Sequence, residues 1–217
     1  MKKISTLALA CLAAFAANAQ TAASSNQQGA FAEASVGTTT FKFDAPAGFS
    51  KKDNDSSFSL VGGYMFNPNI GVEAGYLDMG KASISASGSG SGTLYGKSLT
   101  YNGTLGVEAK ATGFLVGVRG VLPVSEQFSV SARAGLLNWT TDATAKVSGT
   151  GTYDGTAFSA SASAKKSYSG TDAYVGIRGS YSFTKQISAG IGYTQYRLGG
   201  DVSTDASNVD INVAYRF

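Results

Sequence analysis

Apolar and polar side chains alternate with period two through most of the chain. The clearest run closes it, with Val209, Ile211, Val213, Tyr215 and Phe217 on one face and Asp210, Asn212, Ala214 and Arg216 on the other. Successive side chains of a strand point to opposite sides, so this segment predicts a strand between two different media. The same alternation predicts a first strand over residues 29–43, with Ala30, Ala32, Ala34 and Val36 opposite Phe31, Glu33, Ser35 and Gly37. A second covers 56–66, with Phe58, Leu60, Gly62, Tyr64 and Phe66 on one face, and a third begins with Ile70, Val72, Ala74 and Tyr76. Strands over 105–122, 128–139, 170–183, 187–198 and 206–217 bring the count to eight. An even number sets the first and last strands antiparallel and lets the sheet close without edges.

The connections are of two kinds. Asn67-Pro68-Asn69, the stretch from Pro123 to Gln127, and Thr184-Lys185-Gln186 are tight turns. They alternate with long polar segments at 44–55, 78–106 and 140–169, the asymmetry of a barrel with a periplasmic and an external end. Asp154-Gly155 suits a two-residue type I′ turn, which sets Phe128 opposite Tyr181 and Val130 opposite Gly179. A tip at Tyr95-Gly96-Lys97 sets Ile70 opposite Leu122 and Tyr76 opposite Val116. Both long segments are thus expected to project as hairpins, subject to any bulge. Val116-Gly-Val-Arg-Gly120 and Val175-Gly-Ile-Arg-Gly179 form a weak hairpin repeat.

Composition narrows the class. Lys2 and Lys3, an apolar run from Leu7 to Ala17 and the small residues Ala17 and Ala19 predict a signal peptide over 1–19. A short aperiodic lead over 20–28 and one barrel domain over 29–217 follow. The only cysteine, Cys11, lies in the signal, and the chain has no histidine. The mature chain therefore lacks disulfides, thiol chemistry and imidazole ligands or bases, so a Ser-His or Asp-His enzyme is not expected and no cofactor is indicated. Without the two signal lysines the 17 basic residues become 15 against 14 acids, and the net charge of +3 falls to +1. Nothing in that balance suggests a nucleic-acid partner. Past Ala19 no apolar stretch approaches the roughly 20 residues of a membrane helix.

The charges decide between a soluble core and lipid. Glu33, Glu73, Arg119, Arg133, Arg178 and Asp210 all fall on the face opposite the apolar one. An Arg facing lipid near the bilayer midplane costs about 2–4 kcal/mol, so a membrane barrel requires this partition. Three acids and three arginines in a narrow eight-stranded lumen predict a paired, packed interior, with a charge-lined conduction path as the alternative. Tyr64, Phe66, Phe128, Tyr181, Phe183, Tyr215 and Phe217 group near the short turns, and Phe58, Tyr76, Trp139 and Tyr193 toward the other end. These are expected to form two aromatic girdles. The fold predicted is all-β: an eight-stranded antiparallel transmembrane β-barrel with short periplasmic turns and long external hairpin loops.

The stretch Val61-Gly-Gly-Tyr-Met-Phe-Asn-Pro-Asn-Ile-Gly-Val-Glu-Ala-Gly-Tyr76 and the ending Val213-Ala-Tyr-Arg-Phe217 resemble the small outer-membrane β-barrel family, which includes the OmpA transmembrane domain, OmpX and Ail, and the opacity-type surface proteins. The resemblance implies residence in the outer membrane of a Gram-negative bacterium. It also implies that Tyr215 and Phe217 are read by the outer-membrane assembly machinery. Unlike full-length OmpA, the sequence shows no peptidoglycan-binding domain after the barrel. The expected function is a structural or surface-interaction role in adhesion or envelope integrity, carried by segments 78–106 and 140–169, which would meet host or cell-surface molecules. Lys51, Lys52, Lys165 and Lys166 are candidates to meet lipopolysaccharide and equally the scattered charge of solvated loops. The alternative is a narrow channel, or OmpW-like transport of small hydrophobic molecules.

Overall fold

A computed structural model describes residues 28–199 and 204–217, and all of the assigned secondary structure there is extended. The expected signal peptide and nearly all of the lead lie outside the described residues. The strands are β1 (Gly29–Lys42), β2 (Ser50–Lys52), β3 (Asn54–Met65), β4 (Ile70–Leu94), β5 (Lys97–Pro123), β6 (Phe128–Tyr153), β7 (Thr156–Ser182), β8 (Ile187–Leu198) and β9 (Thr204–Arg216). Every pairing is antiparallel. β1 pairs with both β3 and β9, and β4 with β5, so eight long strands close into a ring; β2 joins β4 above β3 and continues that wall.

Side-chain chemistry explains the short turns. Asn67 Oδ1 accepts the Asn69 and Ile70 amides at 2.8 and 2.9 Å. Ser125 Oγ accepts Phe128 N at 3.0 Å, and Thr184 Oγ1 accepts Ile187 N at 2.9 Å. In all three, a short polar side chain replaces a backbone acceptor and turns the chain within a few residues.

The opposite end carries the two expected hairpins. Apart from their tips and Met79, segments 78–106 and 140–169 are paired strand, so β4 to β7 run 25–27 residues while β1, β3, β8 and β9 run 12–14. β5 also pairs with β6 from Leu99–Tyr153 down to Pro123–Ser129, which fuses the two hairpins into one four-stranded sheet rising from one side of the barrel. Two-residue turns at Tyr95-Gly96 and Asp154-Gly155, with φ of 51° and 76° and of 51° and 77°, cap it as type I′ geometry requires.

The β6–β7 register is the predicted one, Phe128 opposite Tyr181. In the other hairpin Ile70 faces Gly120 and Tyr76 faces Phe114, two residues away from the expectation. The tip holds two residues rather than three, which alone would turn the apolar face of β4 inward, and a bulge between Asp78 and Gly80 restores it. Gly80 adopts φ +77° there, its amide donates to Asp78 Oδ1 at 2.9 Å, and the Lys81 amide donates to Asp55 Oδ2 at 3.0 Å. The extra residue, Met79, is fully buried in the barrel mouth.

Candidate functional site

The barrel interior is layered. Phe31, Met65 and Val121 line the short-turn end, around a recess of about 80 Å³ that reaches Glu33 and Arg119, and Leu77, Met79, Leu115, Leu137, Tyr174 and Tyr196 fill the upper half. Between these layers the six predicted charges, carried by β1, β4, β5, β6, β7 and β9, meet across the lumen. Asp210 Oδ1 accepts Arg178 Nη2 at 2.8 Å, and Arg178 Nη1 also donates to Glu33 Oε1. Glu33 Oε2 accepts Arg119 Nη1 at 2.7 Å, and Arg119 Nε donates to Glu73 Oε2 at 2.8 Å. Arg133 Nε lies 2.9 Å from Glu73 Oε1, near enough for an ion pair though not aligned for a hydrogen bond. Acid and base thus alternate along a single neutral chain of six groups. It bridges the lumen from β1 to β5 and β7.

Tyr174 completes the chain, since its hydroxyl donates to Glu73 Oε1 at 2.8 Å, and its ring lies 5.3 Å from the Arg133 guanidinium. Sequence reasoning missed it, although parity with Gly176 and Arg178 places Tyr174 on the inner face. Its ring occupies space left by two glycines. A Cβ at Gly117 would stand 2.3 Å from the Tyr174 hydroxyl, and one at Gly135 would stand 2.8 Å from the ring.

On the outer surface Tyr64, Phe66, Phe128, Tyr181, Phe183, Tyr215 and Phe217 are exposed near the short turns. They pair along single strands, with ring centroids 5.8 Å apart for Tyr64–Phe66, 5.2 Å for Tyr181–Phe183 and 5.0 Å for Tyr215–Phe217. Phe58, Tyr76 and Tyr193 are exposed toward the other end, where Phe114, not anticipated, packs at 5.3 Å from Tyr76. Trp139 does not belong with them. It has the inward parity of Arg133 and Leu137, is 1% exposed, and donates from Nε1 to Asp172 Oδ2 at 2.8 Å. Residue type alone assigns so large a ring to the girdle, whereas strand parity turns it into the lumen, where an acceptor satisfies its N–H.

Above this level the sheet reverses polarity. In the barrel the outer face is apolar (Val72, Phe114, Val116, Leu136, Ile177) and the inner face carries the charges. In the projection the outer face is hydroxyl and charge, with Thr100–Thr152 and Thr104–Ser148 contacts at 2.7 Å and Lys81–Glu108 and Lys110–Asp78 ion pairs at 3.1 and 2.8 Å. Hydrogen bonding to Asp78 raises the Lys110 pKa, and hydrogen bonding to Lys52 holds the Asp55 carboxyl below its ordinary range. The inner face becomes apolar: Ile84, Leu99, Tyr101, Leu105, Val107, Val147, and at the β7 edge Phe158. Lys165 stands on the outer face, while Lys166 on the inner face approaches the Tyr168 ring at 4.8 Å; Lys51 and Lys52 pair with Asp53 and Asp55 at the rim.

Among solved structures, Ail of Yersinia pestis is 16% identical with a TM-score of 0.42, and the match covers 87% of this chain and 99% of that one. The N-terminal barrel of Pseudomonas aeruginosa OprF is 12% identical (TM-score 0.46; 88% and 98% covered), as is OprG of the same organism (TM-score 0.46; 89% and 99%). No curated protein matches the chain. The family described as the outer membrane protein beta-barrel domain matches residues 7–217. With its closed eight-stranded ring, apolar outer wall and charged lumen, the chain belongs to that outer-membrane β-barrel family, and its place is the outer membrane of Gram-negative bacteria.

Proposed function

We propose that this protein is a closed, non-enzymatic outer-membrane scaffold whose projecting four-stranded sheet makes surface contacts. The observation that carries the reading is the asymmetry of the molecule. The lumen is spanned by an internally paired chain of ions and capped by Trp139, Tyr174 and Met79, while half of the wall extends well past the mouth as ordered sheet. Rigid scaffolds that raise exposed segments away from the membrane are suited to recognition. Building a sheet rather than loops removes the ordering cost a flexible segment incurs on binding. Phe217 and Tyr215 serve assembly in this reading, and the exposed aromatics seat the barrel between the two interfaces.

Excising residues 143–166 joins the already paired Asp142 and Ser167 and removes most of the β6–β7 projection while leaving the barrel strands whole. Binding of the cells to host surfaces or to other cells should then fall while envelope permeability stays unchanged. If neither adhesion nor permeability changes, the surface-contact reading fails; increased permeability alone would favour a gating role instead.

A further inference from the structure

Apart from Lys166 near the barrel end of β7, the inner face of the projection is apolar, and it is solvent-exposed. Tyr101, Leu105, Val147 and Phe158 are 51, 43, 49 and 44% exposed on it. Toward the barrel it runs into an apolar recess of about 210 Å³ at the mouth, between Phe41, Phe43, Ile84, Val107 and Leu198. Contiguous apolar surface of this extent marks a contact site. Lipid cannot cover it in place, because the face that continues the lipid-facing wall is the polar one. Among the described residues no segment packs over it, as the exposure of these four side chains shows.

We infer that the occupant is a second copy of this chain, standing in an opposed membrane, with the two inner faces packed against each other. Four strands spaced about 4.8 Å apart and about 12 residues of 3.4 Å rise give a face of roughly 800 Å² per copy. A standard specific interface buries about that much on each partner. The relief of the face is self-complementary. Leu105 and Val147 are register partners near its middle. One step toward the tip lies a row of small residues, Gly88, Gly103, Gly149 and Ala160; one step toward the barrel lies the taller pair Ile84 and Val107. A two-fold axis through the Leu105–Val147 row, perpendicular to the strands, lays each tall row over the small row of the other copy. It also brings the tip aromatics Tyr101 and Phe158 toward the other copy's mouth.

The membrane geometry fixes the orientation. Each inner face overlooks its own barrel, so two copies in one membrane cannot bring these faces together without their barrels overlapping. Copies in facing membranes can, because β1, β3, β8 and β9 stop near Lys42 and Leu198 while β4 to β7 continue past them. Two sheets packed about 10 Å apart fit there. The contact is therefore membrane to membrane and between like copies, and it names the partner for the surface-contact reading on which it rests.

The test uses the full-length protein in two liposome populations, each with its own fluorophore and its own epitope tag on the protein. Liposomes of the two populations should cluster with each other and ignore protein-free liposomes of the same lipid. Because residues 20–217 contain no cysteine, Leu105→Cys places a single thiol near the proposed axis. On oxidation it should yield disulfide dimers carrying both tags, and Thr104→Cys, one residue away on the outer face, should yield none. Val147→Lys should abolish clustering with the β-sheet circular dichroism retained, whereas Ser148→Lys should leave it unchanged. No clustering of the unmodified protein, clustering onto protein-free liposomes, dimers carrying only one tag, or undiminished clustering by Val147→Lys would each overturn the inference. If excision of 143–166 lowers binding to host cells but the liposomes never cluster, homotypic pairing fails while the surface-contact reading stands.

Discussion

At the scale of the residue, the deciding quantity is the cost of an unpaired charge in the lumen. Arg119 links two carboxylates and lies 4.6 Å from the Phe31 ring, whereas Arg133 meets one carboxylate, Glu73, and the Tyr174 ring. Breaking a buried pair by removing one partner costs about 3–5 kcal/mol, because the other charge stays buried. Arg119→Ala should therefore lower stability by about that amount, and Arg133→Ala by less, as read from urea unfolding in lipid vesicles. Equal, negligible losses would mean that the lumen charges are already water-screened. Phe217 tests a different property. It is exposed, and its amide donates to the Ala30 carbonyl at 2.9 Å, a backbone bond that serine there would preserve. Phe217→Ser should slow outer-membrane insertion in cells severalfold while leaving the unfolding midpoint of the assembled barrel nearly unchanged. Normal insertion kinetics would remove the assembly role.

At the scale of the element, the bulge at Met79 matters more than any side chain of β4. A strand has period two, so one extra residue is the smallest device that converts an outward face into an inward one. Below the bulge Ile70, Val72 and Tyr76 face outward, and above it Ile84 and Ala86 share the inner face with Val107 and Leu105. Deleting Met79 forces one of the two segments onto the wrong face. The expected result is loss of heat-resistant folded barrel on assembly into lipid, where the conservative change Met79→Leu folds normally. A normally folded deletion variant would show that pairing tolerates inverted polarity here.

At the scale of the whole molecule, the protein sets a four-stranded projection on a barrel whose lumen is crossed by ion pairs. Planar bilayers containing the protein should show no steady openings, because a neutral ion chain crosses the lumen. If Arg133→Ala opens a steady conductance while stability holds, the charges act as a gate rather than a plug.

How much of this was legible before the structure depends on the range of each interaction. Strand parity is local, so the alternation in the chain by itself determined the lipid-facing residues, the inward direction of the six charges, the short turns and the Asp154-Gly155 register. It also contained the inward direction of Trp139 and Tyr174, which residue type obscured in one case and the small neighbours in the other. Which arginine meets which acid was not determined, because Glu33 on β1 meets Arg119 and Arg178 only across the lumen, and only ring closure brings them together. The same holds for the Met79 bulge, which is defined against β5 and β3, and for the fusion of two polar hairpins into one sheet through β5 and β6. Ser, Gly and Ala repeats read as solvated loop when each segment is taken alone. Only the lateral stacking of four strands collects their scattered apolar positions onto one face, and that collective property was left for the tertiary structure to decide.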